Sequence, residues 1–579
     1  MEPSNTKLNL IFTWVFALFC LVGMHYFQHN QGGAGLDLPI NPVGWSFISI
    51  LIGIGLWQIT LTQQIRYNSL TIAGLIAFAL LLAPIFYPNA EFAEASYPRL
   101  LGFLGGILLL FAMQQLKLRD KQWYKLLLFV VIAGFIQCIY SLVQMYVLKA
   151  GNPFGYNVNY GRPYGIFQQP NVLASFTATT LVLAAYLFAA WRPKQHATLL
   201  SGFLTLHCFL AAWVIYISVS RTGYLGGAIA LALISPWLWQ QSKKRCAIIF
   251  AIIGLGISMH FIVADGAVSR DQAQLTDAGY RSLQYEQSWH MMQDKPLLGW
   301  GYGSFETSFL TDRAERIVNE GVPFVLENLT HPHNEIMYWG VEGGIVPVLG
   351  LILLAVAFIA LLTRFNWRSA LALLALVLPL TLHSQTEYPF YHAVATWFSY
   401  IVLIAFISHL ANNDKILQFR PTLLVKTNAV LIPVFTCTFM ITAVHTNYLV
   451  TKFERTGRTD IDLLMQVVNP LALNTRFEFN IFTLRMFVGE RLDKPEELKA
   501  YVDWATEFVK HTPRANIYYN LALANKLLGH DDQAEQILAH AQWLYPSNEL
   551  LKNDLQEVVR DVEKAPSELT ETLNELAEQ

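Results

Sequence analysis

Residues 329–361 read LTHPHNEIMYWGVEGGIVPVLGLILLAVAFIAL, and this stretch joins a polar loop to an apolar run long enough to cross a membrane. The apolar part predicts a helix that begins near Ile336. The polar part ends in two imidazoles, an amide and a carboxylate, which belong to His331, His333, Asn334 and Glu335. Ionisable groups at this position indicate either a polar helix cap or a site that acts on a lipid-borne substrate.

Apolar runs of this length recur along most of the chain. Hydrophobic residues make up 54% of the sequence and charged residues only 14%, which is typical of a membrane protein. The runs predict about thirteen transmembrane helices, at residues 8–28, 44–62, 69–87, 99–116, 124–147, 171–190, 199–219, 222–240, 246–264, 336–361, 369–385, 391–409 and 424–446. The predicted fold class is therefore an all-α polytopic membrane protein.

The short loops between these runs differ in charge. One alternating set contains most of the Lys and Arg residues, including residues 243–245, whereas the other set contains only Arg99, Lys149, Arg162 and Arg221. The positive-inside rule places the first set and the N-terminus in the cytoplasm. An odd number of spans then leaves a large loop, at about residues 265–335, and the C-terminus on the outer side. In a bacterial inner membrane, that side is the periplasm.

The sequence changes character after the last predicted span. Residues 1–450 form the predicted transmembrane domain, and residues 451–579 are charged and helical in pattern, which indicates a second, α-helical domain. Residues 515–547 fit one tetratricopeptide-like (TPR-like) unit. Because one unit cannot bury its own apolar face, residues 501–509 and 550–562 are predicted to stack against it. The domain is expected either to present a groove to a partner or to act as a solvated helical cap, and residues 566–579 form an acidic tail.

Three arginines on the predicted outer side depart from the charge pattern, namely Arg162, Arg221 and Arg281. A cation at a membrane edge usually snorkels or pairs with a carboxylate. Three cations on the side of the histidines also fit a bound anion, because guanidinium groups match phosphate oxygens and stay charged. A sugar diphosphate on a polyprenyl carrier is such an anion. A neutral imidazole can accept the proton of a hydroxyl group that attacks the sugar.

Other functions fit parts of the pattern less well. His331, His333 and Glu335 alternate as metal ligands on a strand would, but Pro332 and the nearby helix start oppose a regular strand, and no further ligands are evident. We therefore predict no metal and no cofactor. A transporter would carry ionisable residues at mid-membrane depth and repeated span patterns, which the sequence lacks. The net charge of −2 argues against a nucleic-acid partner.

Several short motifs occur in an order that resembles a known family. They are HPHNE at residues 331–335 with GVEGG at 340–344, GIFQQPNVLA at 165–174, SRTG at 220–223 and KPLLGWG at 295–301. Together they resemble the catalytic-loop region of the bacterial O-antigen ligase and polymerase superfamily, the Wzy_C type. The helical C-terminal part and HSQTEYP at residues 383–389 resemble most the protein-targeting O-oligosaccharyltransferases, the PglL-like members.

The resemblance implies an inverting glycosyltransferase that works without a metal. Such an enzyme moves an oligosaccharide en bloc from undecaprenyl diphosphate, within the membrane lipid, to a serine or threonine of a periplasmic protein or pilin. The alternative acceptors are lipid A core, for a ligase, and a growing glycan, for a polymerase.

The resemblance also implies roles for individual residues. His333 would be the catalytic base, and Arg221 and Arg281 would bind the diphosphate. Glu387 is expected to orient either His333 or an arginine. The remaining expected neighbours in the substrate pocket are Arg162, Gln169, Asn171, His331, Asn334 and Glu335.

Overall fold

A computed structural model describes residues 6–263, 280–322, 328–420, 423–458, 460–552 and 555. The described chain is almost entirely helical, as predicted. Its α-helices are α1 (Thr6–Leu21), α2 (Ile40–Thr62), α3 (Ser69–Leu82), α4 (Tyr97–Gln115), α5 (Asp120–Tyr146), α6 (Pro170–Ala190), α7 (Ala197–Ile217), α8 (Arg221–Gln241), α9 (Lys243–Val263), α10 (Arg281–Asp294), α11 (Phe305–Glu320), α12 (Glu335–Gly343), α13 (Ile345–Leu362), α14 (Trp367–Ser384), α15 (Pro389–His392), α16 (Val394–Ala411), α17 (Leu423–Arg455), α18 (Asp462–Met465), α19 (Asn474–Arg491), α20 (Pro495–His511), α21 (Ala515–Leu527) and α22 (Asp531–Leu544).

Short 3₁₀ helices and two strands complete the described secondary structure. The 3₁₀ helices are Gly23–His25, Gly35–Asp37, Ala83–Phe86, Ala93–Ser96, Val158–Tyr160, Gly165–Phe167, Pro470–Leu473 and Leu550–Lys552. Strands β1 (Gln64–Tyr67) and β2 (Lys415–Gln418) pair antiparallel, with Gln64 opposite Gln418. They follow α2 and α16, and they therefore tie the ends of these two helices together.

Thirteen helices in the described residues are long and apolar enough to cross a membrane, which confirms the predicted number. They are α1 to α9, α13, α14, α16 and α17. The chain is thus a multi-pass membrane protein. The closely spaced seventh and eighth spans are separate helices, because Val219 adopts a left-handed conformation (φ 47°) and the Ser220 side chain caps α8.

The predicted helix at residues 336–361 is wrong in one respect, because it is two helices. The break lies at Gly344, whose φ of 67° and ψ of −153° suit only glycine. A Cβ atom at this position would lie 2.3 Å from the backbone oxygen of Leu297. The short helix α12 therefore precedes the spanning helix α13 and is not its first part.

The segment between α9 and α13 lies on the same side of the membrane as the C-terminal helices. Nine spans precede the first and thirteen precede the second, so both are opposite the N-terminus. We call this side the loop side. The two parts are in contact, since Arg514 pairs with Glu306 and the apolar core of the C-terminal helices includes Leu310 and Ala314 of α11. They form one packed unit.

The C-terminal residues form helices where the sequence predicts them. Helices α21 and α22 occupy the predicted unit at residues 515–547, with Gly529 (φ 81°) in the turn between them, and residues 501–509 lie in α20. Helix α17 runs to Arg455 and so crosses the predicted domain boundary at residue 450 without a break. Most of the predicted segment 550–562 and the acidic residues 566–579 lie outside the described residues.

Helix α6 is the central helix of the membrane-embedded part. Its hydrophobic span is completely buried, and it packs against α5, α7, α8 and α14. Small side chains allow this packing: a Cβ atom on Gly223 of α8 would lie 2.5 Å from the Cβ atom of Ala174. The glycine of the SRTG motif is thus required for contact between α8 and α6. The first residues of both helices emerge together on the loop side.

Candidate active site

The starts of four helices meet at residues 385–387, directly after α14. Thr222, at the second position of α8, has its Oγ1 3.1 Å from Thr386 Oγ1. Asn334, which precedes α12, donates from Nδ2 to the backbone oxygen of Gln385 at 3.1 Å. The first residues of α6 and α10 contact the third residue of the segment. Four parts of the sequence are thereby brought to one point on the loop side.

Glu387 is the centre of this cluster. Its Oε1 atom accepts hydrogen bonds from Arg281 Nη2 and from Asn171 Nδ2, both at 2.6 Å. Its Oε2 atom accepts from Gln169 Nε2 at 2.9 Å and lies 3.1 Å from His383 Nε2. The residue is only 7% exposed. Each carboxylate oxygen therefore has two partners, and α6, α10 and α14 are joined through one side chain.

The environment keeps Glu387 ionised. Burial acts to raise its pKa, but the His383 hydrogen bond, the Arg281 charge and the Asn171 hydrogen bond outweigh burial and lower the pKa to about 2. A carboxylate with this pKa neither takes up nor releases a proton near pH 7. Glu387 is therefore suited to holding cations and amides in place, and of the two partners considered for it, the structure places Arg281 in direct contact.

His333 adopts an unusual backbone conformation next to this cluster. Its φ is 57°, and its N–H donates to Nδ1 of His331 at 2.8 Å. The Tyr285 hydroxyl lies 3.1 Å from the His333 carbonyl oxygen, and the Tyr388 ring centroid lies 5.6 Å from that of the imidazole. Within the described residues no hydrogen bond engages the ring nitrogens of His333. The side chain is half-buried, and its ring contacts the Tyr388 ring without a ring hydrogen bond to any described residue.

The charge state of His333 suits proton transfer. Burial lowers its pKa from 6.5, Glu387 opposes this shift and Arg281 adds to it. The imidazole is therefore neutral near pH 7 and can accept a proton.

His331 is enclosed by aromatic rings. Its ring centroid lies 4.5 Å from that of Tyr338, 4.8 Å from Tyr388 and 6.0 Å from Tyr391. Burial, followed by the charges of His333 and Arg99, lowers its pKa well below 6.5. A neutral His331 can accept the N–H of His333 at Nδ1. His331 therefore helps to fix the backbone conformation of His333 through this hydrogen bond.

Asn334 and Glu335 fix the start of α12. The Asn334 side chain accepts the N–H of Met337 at 3.0 Å, as a helix N-cap does. Glu335 Oε1 accepts hydrogen bonds from Trp339 Nε1, at 2.6 Å, and from the Tyr391 hydroxyl. These contacts hold the loop end in place.

The three alternating side chains considered as metal ligands do not converge. His331, His333 and Glu335 do not bring their ligand atoms within reach of a single ion in the part of the chain that the structure describes. The described residues that do so are His290, Asp294 and Asp312 on α10 and α11.

The three arginines occupy different positions. Arg281, whose side chain is 36% exposed, begins α10 and uses Nη2 for Glu387. Arg221 begins α8 beside Thr222 and is exposed. Arg162 donates from Nε to the Ser218 carbonyl oxygen at 2.6 Å and from Nη2 to Asn171 Oδ1 at 3.3 Å. It thereby joins its loop both to the turn between α7 and α8 and to Asn171 of the Glu387 cluster.

A buried ion pair beneath the loop went unrecognised in the sequence, where Arg99 enters only the charge pattern. The Arg99 guanidinium pairs with Glu342 and lies 4.4 to 4.5 Å from the ring centroids of Tyr302, Tyr338 and Trp339. A carboxylate inside an apolar run is a signal for such a pair, but its partner is 243 residues away. The pair fixes α12 to the start of α4.

The KPLLGWG motif holds the other end of α12. The N–H of Trp300 donates to the Val341 oxygen at 2.8 Å, and the N–H of Gly301 donates to the Glu342 oxygen at 2.9 Å. These bonds satisfy carbonyl groups that the helix end leaves free. The start of α12 is thus held by the side chains of Asn334 and Glu335, and its end by backbone hydrogen bonds from the KPLLGWG motif.

Models of three protein families match parts of the chain. The model described as O-antigen ligase matches residues 206–352, and the model described as protein glycosylation ligase matches residues 163–188. The model described as virulence factor membrane-bound polymerase, C-terminal, matches residues 371–558. No curated protein matches the chain.

The cluster around Glu387 contains residues from each matched segment. Gln169 and Asn171 lie in residues 163–188, Arg281 lies in residues 206–352, and Glu387 lies in residues 371–558. His333, next to the cluster, also lies in residues 206–352. The matches do not overlap, and they follow one another along the chain. The chain therefore belongs to the O-antigen ligase and polymerase superfamily, as a multi-pass membrane glycosyltransferase.

Proposed function

We propose that the chain is an O-linked oligosaccharyltransferase. It moves a preassembled glycan from undecaprenyl diphosphate to a serine or threonine of a periplasmic protein or pilin. The observation that supports this most strongly is that His333, a neutral imidazole, lies next to the cluster in which Glu387 holds the guanidinium of Arg281. One group accepts a proton and the other stabilises negative charge.

The proposed step is a single displacement. The acceptor hydroxyl oxygen forms a bond to the anomeric carbon as the bond from that carbon to the diphosphate oxygen breaks. The hydroxyl proton passes to His333, and the diphosphate departs with the bonding electron pair. Arg281 and Arg221 stabilise the charge on the diphosphate. Attack from the face opposite the leaving group inverts the anomeric configuration.

The other predicted residues have supporting roles in this proposal. Gln169 and Asn171 hold Glu387, whereas His331, Asn334 and Glu335 hold the backbone around His333. Arg162 would position Asn171 and the turn between α7 and α8, and it would not bind the diphosphate itself.

The same proposal includes the placement of the chain. We place it in the bacterial inner membrane, with the N-terminus in the cytoplasm and the loop side in the periplasm. Residues 1–450 would act as the transmembrane catalytic domain, and residues 451–579 as a TPR-like domain that faces the acceptor. Support for a protein acceptor comes from the glycosylation-ligase match over residues 163–188.

The second candidate function uses a different acceptor, namely lipid A core or a growing O-antigen chain. The O-antigen ligase and polymerase matches favour it. Purified protein in lipid vesicles, supplied with an undecaprenyl-diphosphate-linked glycan, distinguishes the acceptors. We expect transfer to a serine-containing or threonine-containing peptide. Transfer to lipid A core or to a second donor glycan, with none to peptide, would contradict a protein acceptor and support the second candidate function.

This assay is preferable to deleting the C-terminal helices. Leu310 and Ala314 of α11 share an apolar core with those helices. A deletion would therefore uncover the segment that carries Arg281 and His333, and activity would be lost whether or not the helices bind the acceptor.

The pH dependence of transfer follows from the pKa of His333. Because burial lowers this pKa from 6.5, the base stays unprotonated until the pH falls below 6.5. We expect kcat/KM to fall on the acid side with a midpoint below pH 6.5, measured with the same peptide across the pH range. Glu387, with a pKa of about 2, titrates too low to cause this limb. A midpoint above pH 7 would contradict the assignment.

A further inference from the structure

The chain turns back along its last spanning helix before the C-terminal helices begin. Asn469 donates from Nδ2 to the Phe439 oxygen at 3.1 Å and to Thr442 Oγ1 at 2.9 Å. In return, Thr446 Oγ1 donates to the backbone oxygen of Asn469 at 2.9 Å. The segment at residues 462–473 is therefore fixed against α17 by hydrogen bonds that Asn469 both donates and accepts.

These contacts give the depth of the segment. On the same helix, Asn447 donates to the backbone oxygen of Asp37 at 2.9 Å, and Asp37 lies in the connection between α1 and α2 on the loop side. The α17 partners of Asn469 extend from Thr446, one residue before Asn447, to Phe439, eight residues before it. At 1.5 Å per residue these partners lie about 2 to 12 Å farther along the helix into the membrane. Asn469 thus lies closer to the membrane centre than Asp37 in the connection between α1 and α2. Part of the returning segment is at the depth of the spanning helices.

The segment has two different faces. Leu463 and Leu464 pack into an apolar cluster with Val450 of α17. On the opposite face three large apolar side chains are exposed, namely Met465 at 77%, Val468 at 68% and Leu471 at 74%. Such exposure to water is unfavourable, because the free energy falls when apolar surface is removed from water.

Helix α17, against which the segment is held, is itself largely exposed within its hydrophobic span. Ile441 and Tyr448 of α17 are 65% and 49% exposed, and only 17% of the hydrophobic span of this helix is buried. Helix α17 therefore faces the bilayer along most of its length. The exposed side chains of Met465, Val468 and Leu471 belong to a segment held against this helix, so lipid is the expected neighbour for them as well.

We propose that residues 465–471 insert into the loop-side leaflet and bind its lipid acyl chains. The segment then acts as a membrane anchor for the C-terminal helices. Polar contacts above it agree with this placement, since Arg476 at the start of α19 donates to Glu454 Oε1 at 3.0 Å and to Asp37 Oδ1 at 3.3 Å. These contacts fix the start of the C-terminal helices relative to α17 and the bilayer, so the two parts are not joined by a flexible linker.

Site-directed fluorescence in lipid vesicles tests the insertion. Met465→Cys and Leu471→Cys variants of the full chain are labelled with a polarity-sensitive fluorophore, and Gln533→Cys, exposed on α22, serves as the matched control. The background from the native cysteines is measured on the unsubstituted protein. We expect the labels at 465 and 471 to be quenched by lipids with a nitroxide on the acyl chain and to resist aqueous iodide. The control label should show the reverse.

Two other results would overturn the proposal. If iodide quenches the labels at 465 and 471 as strongly as the label at 533, the face is open to water. If neither quencher reaches them, another part of a protein covers the face, and a second copy of the chain becomes the occupant to consider. Because glycan transfer is not measured, the result is independent of the proposed function.

Discussion

Replacing His333 with alanine is expected to abolish glycan transfer. A positioned general base contributes about 10²- to 10⁴-fold to a rate, and the neighbouring His331 cannot substitute because its ring is buried among tyrosines and its Nδ1 accepts the N–H of His333. The measurement is the initial rate of peptide glycosylation by vesicle-reconstituted protein. Donor binding should remain, because Arg281 and Glu387 do not depend on the imidazole.

A matched control is available on the same side of the membrane. His290 of α10 is half-exposed and lies beside Asp294 and Asp312, not at the Glu387 cluster. His290→Ala should retain the wild-type rate. If His333→Ala also retains it, the imidazole is not the base, and the proton must pass to another group or to solvent.

Replacing Glu387 with alanine is expected to remove both activity and stability. Arg281, Asn171, Gln169 and His383 would all lose their shared acceptor. Removing one partner of a fully buried ion pair costs about 3–5 kcal/mol, and solvent lowers this cost here because the Arg281 side chain is 36% exposed. We expect a lower melting temperature in detergent together with loss of transfer.

The glutamine variant separates the two effects. Glu387→Gln keeps the shape of the side chain and an acceptor oxygen, so it should recover part of the stability. It removes the negative charge that holds Arg281 and that raises the pKa of His333. Transfer should therefore stay low. Glu286→Gln, which changes an exposed carboxylate on α10, is the control and should match wild type in both measurements. Wild-type transfer by Glu387→Gln would show that the charge is dispensable.

The membrane architecture was predictable from sequence because lipid exposure leaves a local signal. Helix α9 is only 22% buried in its hydrophobic span, so its side chains are apolar on nearly every side. The central helix α6 was also predictable as a span, but its central position was not. Complete burial and lipid exposure both favour apolar residues, so the sequence does not distinguish a central helix from a lipid-facing one. The small side chains of α6 indicate close contact with α8 only once Gly223 is known to lie opposite Ala174.

The break at Gly344 shows the limit of a local pattern. Apolar residues continue from Ile336 to residue 361, so the sequence favours one helix. The conformation of Gly344 is set by the contact with Leu297, which lies in a different motif. A distant backbone contact therefore decides where the spanning helix begins.

The candidate site was predictable as a set of motifs but not as a network. Arg281 and Glu387 could be selected from position and charge, whereas the family resemblance selected His333 over His331. That Glu387 engages Arg281, and not the His333 ring, follows from the meeting of α6, α10 and α14. Arg99 was missed for the same reason, since its carboxylate partner on α12 is distant in sequence.

The central claim is that His333 takes the acceptor proton while Arg281 and Arg221 hold the diphosphate. The most direct measurement is a single-turnover transfer from bound lipid-linked donor to peptide, made with wild-type protein and with His333→Gln, together with donor affinity for both. The account predicts equal donor affinity and a transfer rate that is lost in His333→Gln. Equal transfer rates for the two proteins would contradict it, as would loss of donor binding in the variant.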